Sequence, residues 1–129
     1  MSALAAVAVA DKHWRWLPGM RDTDGCRVVD IIDPWLLLAC GDVGVGNWTL
    51  PLRAVEWCNA NMLPDPDDPA TCGCIENTLL PEAWPGAIIT KRTDQWGTLI
   101  RIASIDDELF DFFDARLGVA LMAALRGAP

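Results

Sequence analysis

The sequence predicts an α+β fold: a small antiparallel sheet built around a β-hairpin and packed against two or three helices. Three observations carry this expectation. Two runs rich in β-branched residues, "GAIITKR" and "WGTLIRIAS", flank the turn "TDQ". Asp68 followed by Pro69 has the form of a helix N-cap with proline at the first helical position. The C-terminal stretch "DDELFDFFDARLGVALMAALRG" carries apolar residues at helical spacing. At 129 residues the chain has the size of one domain, 1–129, and no repeat or linker divides it. It can bury a core without disulfide or metal staples. A hydrophobic content of 52% against 22% charged residues excludes global disorder.

From the N-terminus, residues 3–16 read as a short helix whose apolar side docks on the domain, and Pro18-Gly19 ends it. "TDG" is a turn. "CRVVDII" reads as a strand broken by Asp33-Pro34, and "WLLLAC" as a second strand whose continuous apolar character suggests burial on both faces. "GDVGVGN" is a turn between strands, and "WTLPL" returns as a strand. A helix is expected from near Pro51, because Arg53 and Trp57, like Ala54 and Cys58, lie four apart. "LPDPDDP" is a loop. The helix capped by Asp68 should end at Leu79 or Leu80, since Pro81 disrupts a helix interior. The hairpin Ala87–Arg92 and Gly97–Ala103 places Ile100 and Ile102 in the core, with Leu99, Arg101 and Ala103 facing the other way. Ser104, with Asp107 three residues on, resembles a capping box opening the last helix.

Groups that could carry chemistry lack partners. His13 is the single histidine. A catalytic role would need an oriented acid–base constellation, and the neighbouring Trp14 and Trp16 are better read as core plugs. Cys72 and Cys74 have no second cysteine pair or histidine at metal-ligand spacing, and two apart on a helix they point away from each other. The glycines of "GDVGVGN" match neither the dinucleotide nor the phosphate-loop pattern. Asp65, Asp67 and Asp68 lack the glycine and glutamate of a calcium loop. No metal or cofactor is expected. Five cysteines, an odd number without a secretion signal, favour reduced, largely buried thiols in a cytoplasm-like compartment. The apolar runs are far short of the ~20 residues of a membrane span. A net charge of −8 argues against direct nucleic-acid binding and leaves a basic protein as a partner.

Three blocks, "HWRWLPGM" (13–20), "PDPDDPATCGCIENTLLPEAW" (64–84) and "ALMAALRGAP" (120–129), together resemble a group of small uncharacterised proteins of phages and prophages. That group shares a WxPGM block and a DPATxGC block followed by a helix ending in EAW. The resemblance covers a little under half the chain. It implies a viral accessory protein working in the cytoplasm of a bacterial host, and no catalytic residues to carry over.

The expected function is therefore non-enzymatic: a small acidic protein acting by protein–protein interaction. An inhibitor of a host defence nuclease complex, in the manner of an anti-CRISPR, is one member of this class. A virion or DNA-packaging accessory is the alternative, and a thiol- or histidine-dependent enzyme a weaker one. Wound as a helix, the C-terminal stretch puts Phe110, Phe113, Leu117, Ala120, Leu121 and Ala124 on a core stripe. Asp107, Asp111 and Asp114 form an acidic stripe beside it, Phe112 and Val119 lie on a second face, and these five are the expected binding residues. The partner would be a basic host protein or nucleoprotein complex, or a second copy of the chain, with no contact to membrane or to bare nucleic acid.

Overall fold

The structure, a computed structural model, describes residues 11–42 and 47–129. It is α+β, with two antiparallel sheets and helices packed between and over them. The first sheet contains β1 (Arg27–Ile32), β2 (Trp35–Asp42), β3 (Asn47–Thr49) and β4 (Leu52–Ala54). β2 is central: β1 pairs along one edge, while β3 and β4 share the other, separated at Leu50-Pro51. The second sheet is the meander β5 (Ile88–Asp94), β6 (Gly97–Ala103) and β7 (Leu109–Asp114). Helix α1 spans Val55–Asn61 and α2 spans Pro69–Cys74; α2 runs through a π-helical turn, Ile75–Leu79, into α3 (Leu80–Ala83). Helix α4 (Leu117–Arg126) closes the chain.

The N-terminal helix expectation falls partly outside the described residues, at 3–10. Where the chain is described, Asp11 to Trp16 is not helical. Asp11 Oδ1 accepts the N–H of His13 at 2.8 Å, and its carbonyl accepts that of Trp14 at 3.1 Å. Beyond this turn the chain is extended, so Trp14 and Trp16 both point inward while Arg15 points out and pairs with Glu82. The two indoles pack edge to face at 5.2 Å. Together with Met20 they join the first sheet's Val28, Leu36 and Leu38 to the helical residues Ile75, Leu79, Leu121 and Leu125 in one buried cluster.

Four further expectations are corrected. Burial on both faces of β2 fails: among its described side chains Leu36 and Leu38 are buried, while Trp35 is exposed. The helix expected from Pro51 begins at Val55, because Leu52, Arg53 and Ala54 pair instead with Leu37, Leu36 and Trp35. Pro81 does not end its helix: the Leu80 N–H reaches back to Ile75 O, and this wide turn lies just ahead of the proline ring. The last helix does not start at Ser104. Its hydroxyl accepts the N–H groups of Asp106 (3.3 Å) and Glu108 (3.1 Å), closing a turn into β7 with Asp107 at φ 62°.

Other expectations hold. Asp68 caps α2, its Oδ2 accepting the Thr71 N–H at 2.9 Å, with Pro69 at the first turn. The same carboxylate takes both guanidinium nitrogens of Arg27, which ties α2 to β1. The hairpin forms, with its first strand running on to Asp94 and its turn at Gln95-Trp96 rather than "TDQ"; Asp94 Oδ1 accepts from Trp96 N and Gly97 N across that turn. Ile100 and Ile102 are buried. At Gly97 (φ 148°) and Gly118 no side chain fits, because an added Cβ would lie 2.4 Å from Asp114 O and 2.0 Å from Pro66 O, respectively.

Candidate functional site

The register of β5, β6 and β7 sorts the second sheet into two faces. Ile89, Ile102 and Phe110 form one inward row and Lys91, Ile100 and Phe112 the next. They lie over the α2–α3 helix and α4: Trp84 sits 5.0 Å from Phe110 and 6.5 Å from Phe112, ring to ring. The alternate positions make the outward face. Its end row is Ile88, Ala103 and Leu109, its middle row Thr90, Arg101 and Asp111, and its far row Arg92, Leu99 and Phe113. Ile88, Leu109 and Phe113 are 69%, 65% and 58% exposed. Between the apolar rows Arg101 forks onto both Asp111 oxygens at 2.7 and 2.9 Å. That hydrogen-bonded guanidinium holds the Asp111 carboxyl below the usual carboxylate range.

The five expected binding residues therefore share no single face. Asp107 stands at the tip of the acidic turn Asp106-Asp107-Glu108 that joins β6 to β7. Asp111 is on the outward face. Phe112 points inward and packs against the core, so close to α4 that a Cβ on Gly127 would meet its ring at 2.6 Å. Asp114 is half-buried, and its Oδ1 accepts the Arg116 N–H at 2.9 Å. Val119 is half-buried on α4. The acidic helical stripe is replaced by a sheet face with an acidic turn at one end and Arg92 at the other. Sequence reasoning missed Ile88, Leu109 and Phe113. The pairing of Leu109, Asp111 and Phe113 at period 2 was present in "LFDFFD", but the i, i+3 spacing of Phe110 and Phe113 fits a helix equally well.

The chemical candidates are held in structural roles. His13 Nε2 lies 2.8 Å from the Pro129 carbonyl oxygen, so this nitrogen carries the proton and donates. Cys72 is buried with its thiol toward Pro66 O, and burial beside Asp68 and Asp67 pushes it up to about 11. Cys74 turns instead toward Pro18 O. Such thiols are protonated and poorly nucleophilic at neutral pH. The expectation of uniformly reduced thiols is corrected by a Cys26–Cys40 disulfide. The β1–β2 register explains it: Arg27 pairs with Ala39, so the next residues outward stand opposite each other, 4.2 Å apart at Cα. Its presence removes the thiol-based reason for a reducing compartment.

The disulfide lines a cleft of about 230 Å³ with Asp22, Arg53 and Trp57. Arg53 lies over the Trp57 ring at 5.3 Å, and Asp22 is bound to the loop, its Oδ1 accepting from Cys26 N and Asp24 N. Burial raises the Asp22 carboxyl against those two hydrogen bonds. Among the described residues no cluster of three or more His, Cys, Asp or Glu side chains could hold a metal ion. No described helix is long and apolar enough to cross a membrane. Compared with protein-family models, curated proteins and solved structures, the chain matched none.

Proposed function

We propose that this chain is a non-enzymatic interaction protein that binds a basic protein partner through the outward face of β5–β6–β7 and the acidic turn beside it. One observation carries the proposal: three large apolar side chains, Ile88, Leu109 and Phe113, stand exposed in two rows flanking the Arg101–Asp111 pair. Apolar residues gathered on one face, with charges fixed between them, are the composition of an interface centre and its specificity groups. The net charge of −8 steers a basic partner toward the surface, and the turn Asp106-Asp107-Glu108 sets its orientation.

The resemblance to phage and prophage proteins gives the partner its finer identity. It is a basic surface of a bacterial host complex, such as the nucleic-acid groove of a defence nuclease, blocked by occupation. Assembly into a virion or packaging complex is the alternative. The test immobilises the wild type and a Leu109→Asp/Phe113→Asp variant and passes host lysate over both. The proposal expects one basic complex retained in fixed stoichiometry by the wild type, lost by the variant, and inhibited in a nuclease assay. Equal retention by both proteins, or no basic protein on either, overturns it.

A further inference from the structure

A groove of about 420 Å³ opens at the end of the second sheet, between the acidic turn and the helices. Trp84, Ile105, Phe110 and Pro129 form its apolar walls, and Asp106 and Glu108, both exposed, stand at its solvent side. Among the described residues no lysine or arginine lines it. We propose that this groove takes a single cationic side chain of a protein partner, arginine in preference to lysine. This deepens the reading of a basic partner and rests on it.

The local structure fixes both halves of the site. Gly86, at φ 74°, turns the chain from α3 into β5, and a Cβ there would sit 3.2 Å from Ile105 Cδ1. Ile105 is thus laid across the glycine as one wall. The Ser104 hydroxyl and carbonyl hold the N–H groups of Asp106, Asp107 and Glu108, so the two carboxylates project from an ordered turn. The Trp84 indole N–H is already donated to Ala124 O at 2.9 Å. Trp84, itself buried, therefore offers a ligand no donor and only the small apolar part of its ring that reaches the groove.

A pocket of this size with aromatic walls and a few placed polar groups is of the kind that binds a small group. Its polar side chains favour donors. An anion would meet two carboxylates, and a wholly apolar group would leave them without a partner in the complex. An arginine side chain satisfies both halves: its stem lies along the apolar walls and its fork reaches the carboxylates, while the weakly hydrated guanidinium tolerates aromatic neighbours better than an ammonium does. The groove's Ala87, Ser104 and Glu108 are the chain neighbours of Ile88, Ala103 and Leu109, the end row of the outward face.

The test titrates the isotope-labelled full chain with the blocked tripeptide acetyl-Gly-Arg-Gly-amide and, in parallel, with its neutral citrulline counterpart. Amide shifts are followed, with the Trp84 indole N–H as a reporter of both the site and the fold. The proposal expects saturable shifts at Ala87, Ser104 to Glu108 and Gly127. Citrulline should bind about fivefold more weakly, and Asp106→Asn/Glu108→Gln should bring about the same loss with the indole resonance in place. No saturable shift, or equal binding of both peptides, overturns the groove assignment. Because no partner is needed, this result is separate from the lysate test. A failed peptide beside a partner lost on Leu109→Asp/Phe113→Asp removes the groove and keeps the interaction reading. A bound peptide beside equal retention in the lysate test does the reverse.

Discussion

The two faces of the β5–β6–β7 sheet use the same kinds of residue to different ends. Inward, Ile100 and Ile102 are fully covered, and Phe110 and Phe112 lie on Trp84. Outward, one position along the same strands, Ile88, Leu109 and Phe113 meet solvent. Hydrophobicity alone does not separate the two sets; the position of the helices does. The inward set is committed to the fold. The outward set gains little by being apolar in the isolated chain, which is the physical reason to assign it to a partner. The ion pairs repeat the contrast. Arg27–Asp68 involves a buried carboxylate that also caps α2, whereas Arg101–Asp111 is open to water on both sides.

The largest expected effect breaks the inside. Trp16→Ala removes a buried indole from the junction between the first sheet and the helices and should cost ~3–5 kcal/mol in denaturant unfolding. Ile102→Ala, on the inward face, should cost ~2–5 kcal/mol. A loss below ~0.5 kcal/mol at Ile102 would remove it from the core.

Asp68→Ala should cost about 2 kcal/mol, combining a lost N-cap with a guanidinium left without its carboxylate. Its pH dependence has a definite sign. Burial raises the Asp68 carboxyl, but Arg27 and Thr71 outweigh burial and hold it below its usual value. The stability it contributes is therefore complete above about pH 4, the unfolded carboxylate range, and is lost as the pH falls through the lowered folded value. Asp22 runs the other way. Its raised folded value means that its carboxyl weighs against the fold once the pH climbs above the unfolded value, through the folded one. Unfolding between pH 2 and 7 should show Asp68→Ala flattening the acid loss and Asp22→Asn relieving a cost near neutrality. Smallest of all, Asp111→Asn on the open face should leave the unfolding midpoint where it was, checked by the same titration.

Where a segment's own residues decided its conformation, the sequence was legible. The hairpin was, because β-branched runs meet at a turn that Asp94 closes onto Gly97. The α2 cap was, because Asp68 and Pro69 act within one turn. The segment after Ser104 was not. A serine followed by acids offers the same hydroxyl to a helix N-terminus or to a β-turn, and the edge of β6, an element outside the segment, decides between them. With that choice went the whole candidate site, since changing the period from 3.6 to 2 sends Phe112 inward and Phe113 outward. The Cys26–Cys40 bond was illegible for a related reason, because it follows from the β1–β2 register rather than from spacing in the chain.

The claim that the outward face is spare to the fold is tested most directly by replacing its three exposed apolar residues together. Ile88→Thr, Leu109→Thr and Phe113→Thr keep strand propensity while removing apolar surface. In denaturant unfolding the triple variant should stay within about 1 kcal/mol of the wild type, the scale of exposed cross-strand contacts. A loss beyond ~3 kcal/mol would mean that the face is already covered within the chain and belongs to its core, which would contradict the account.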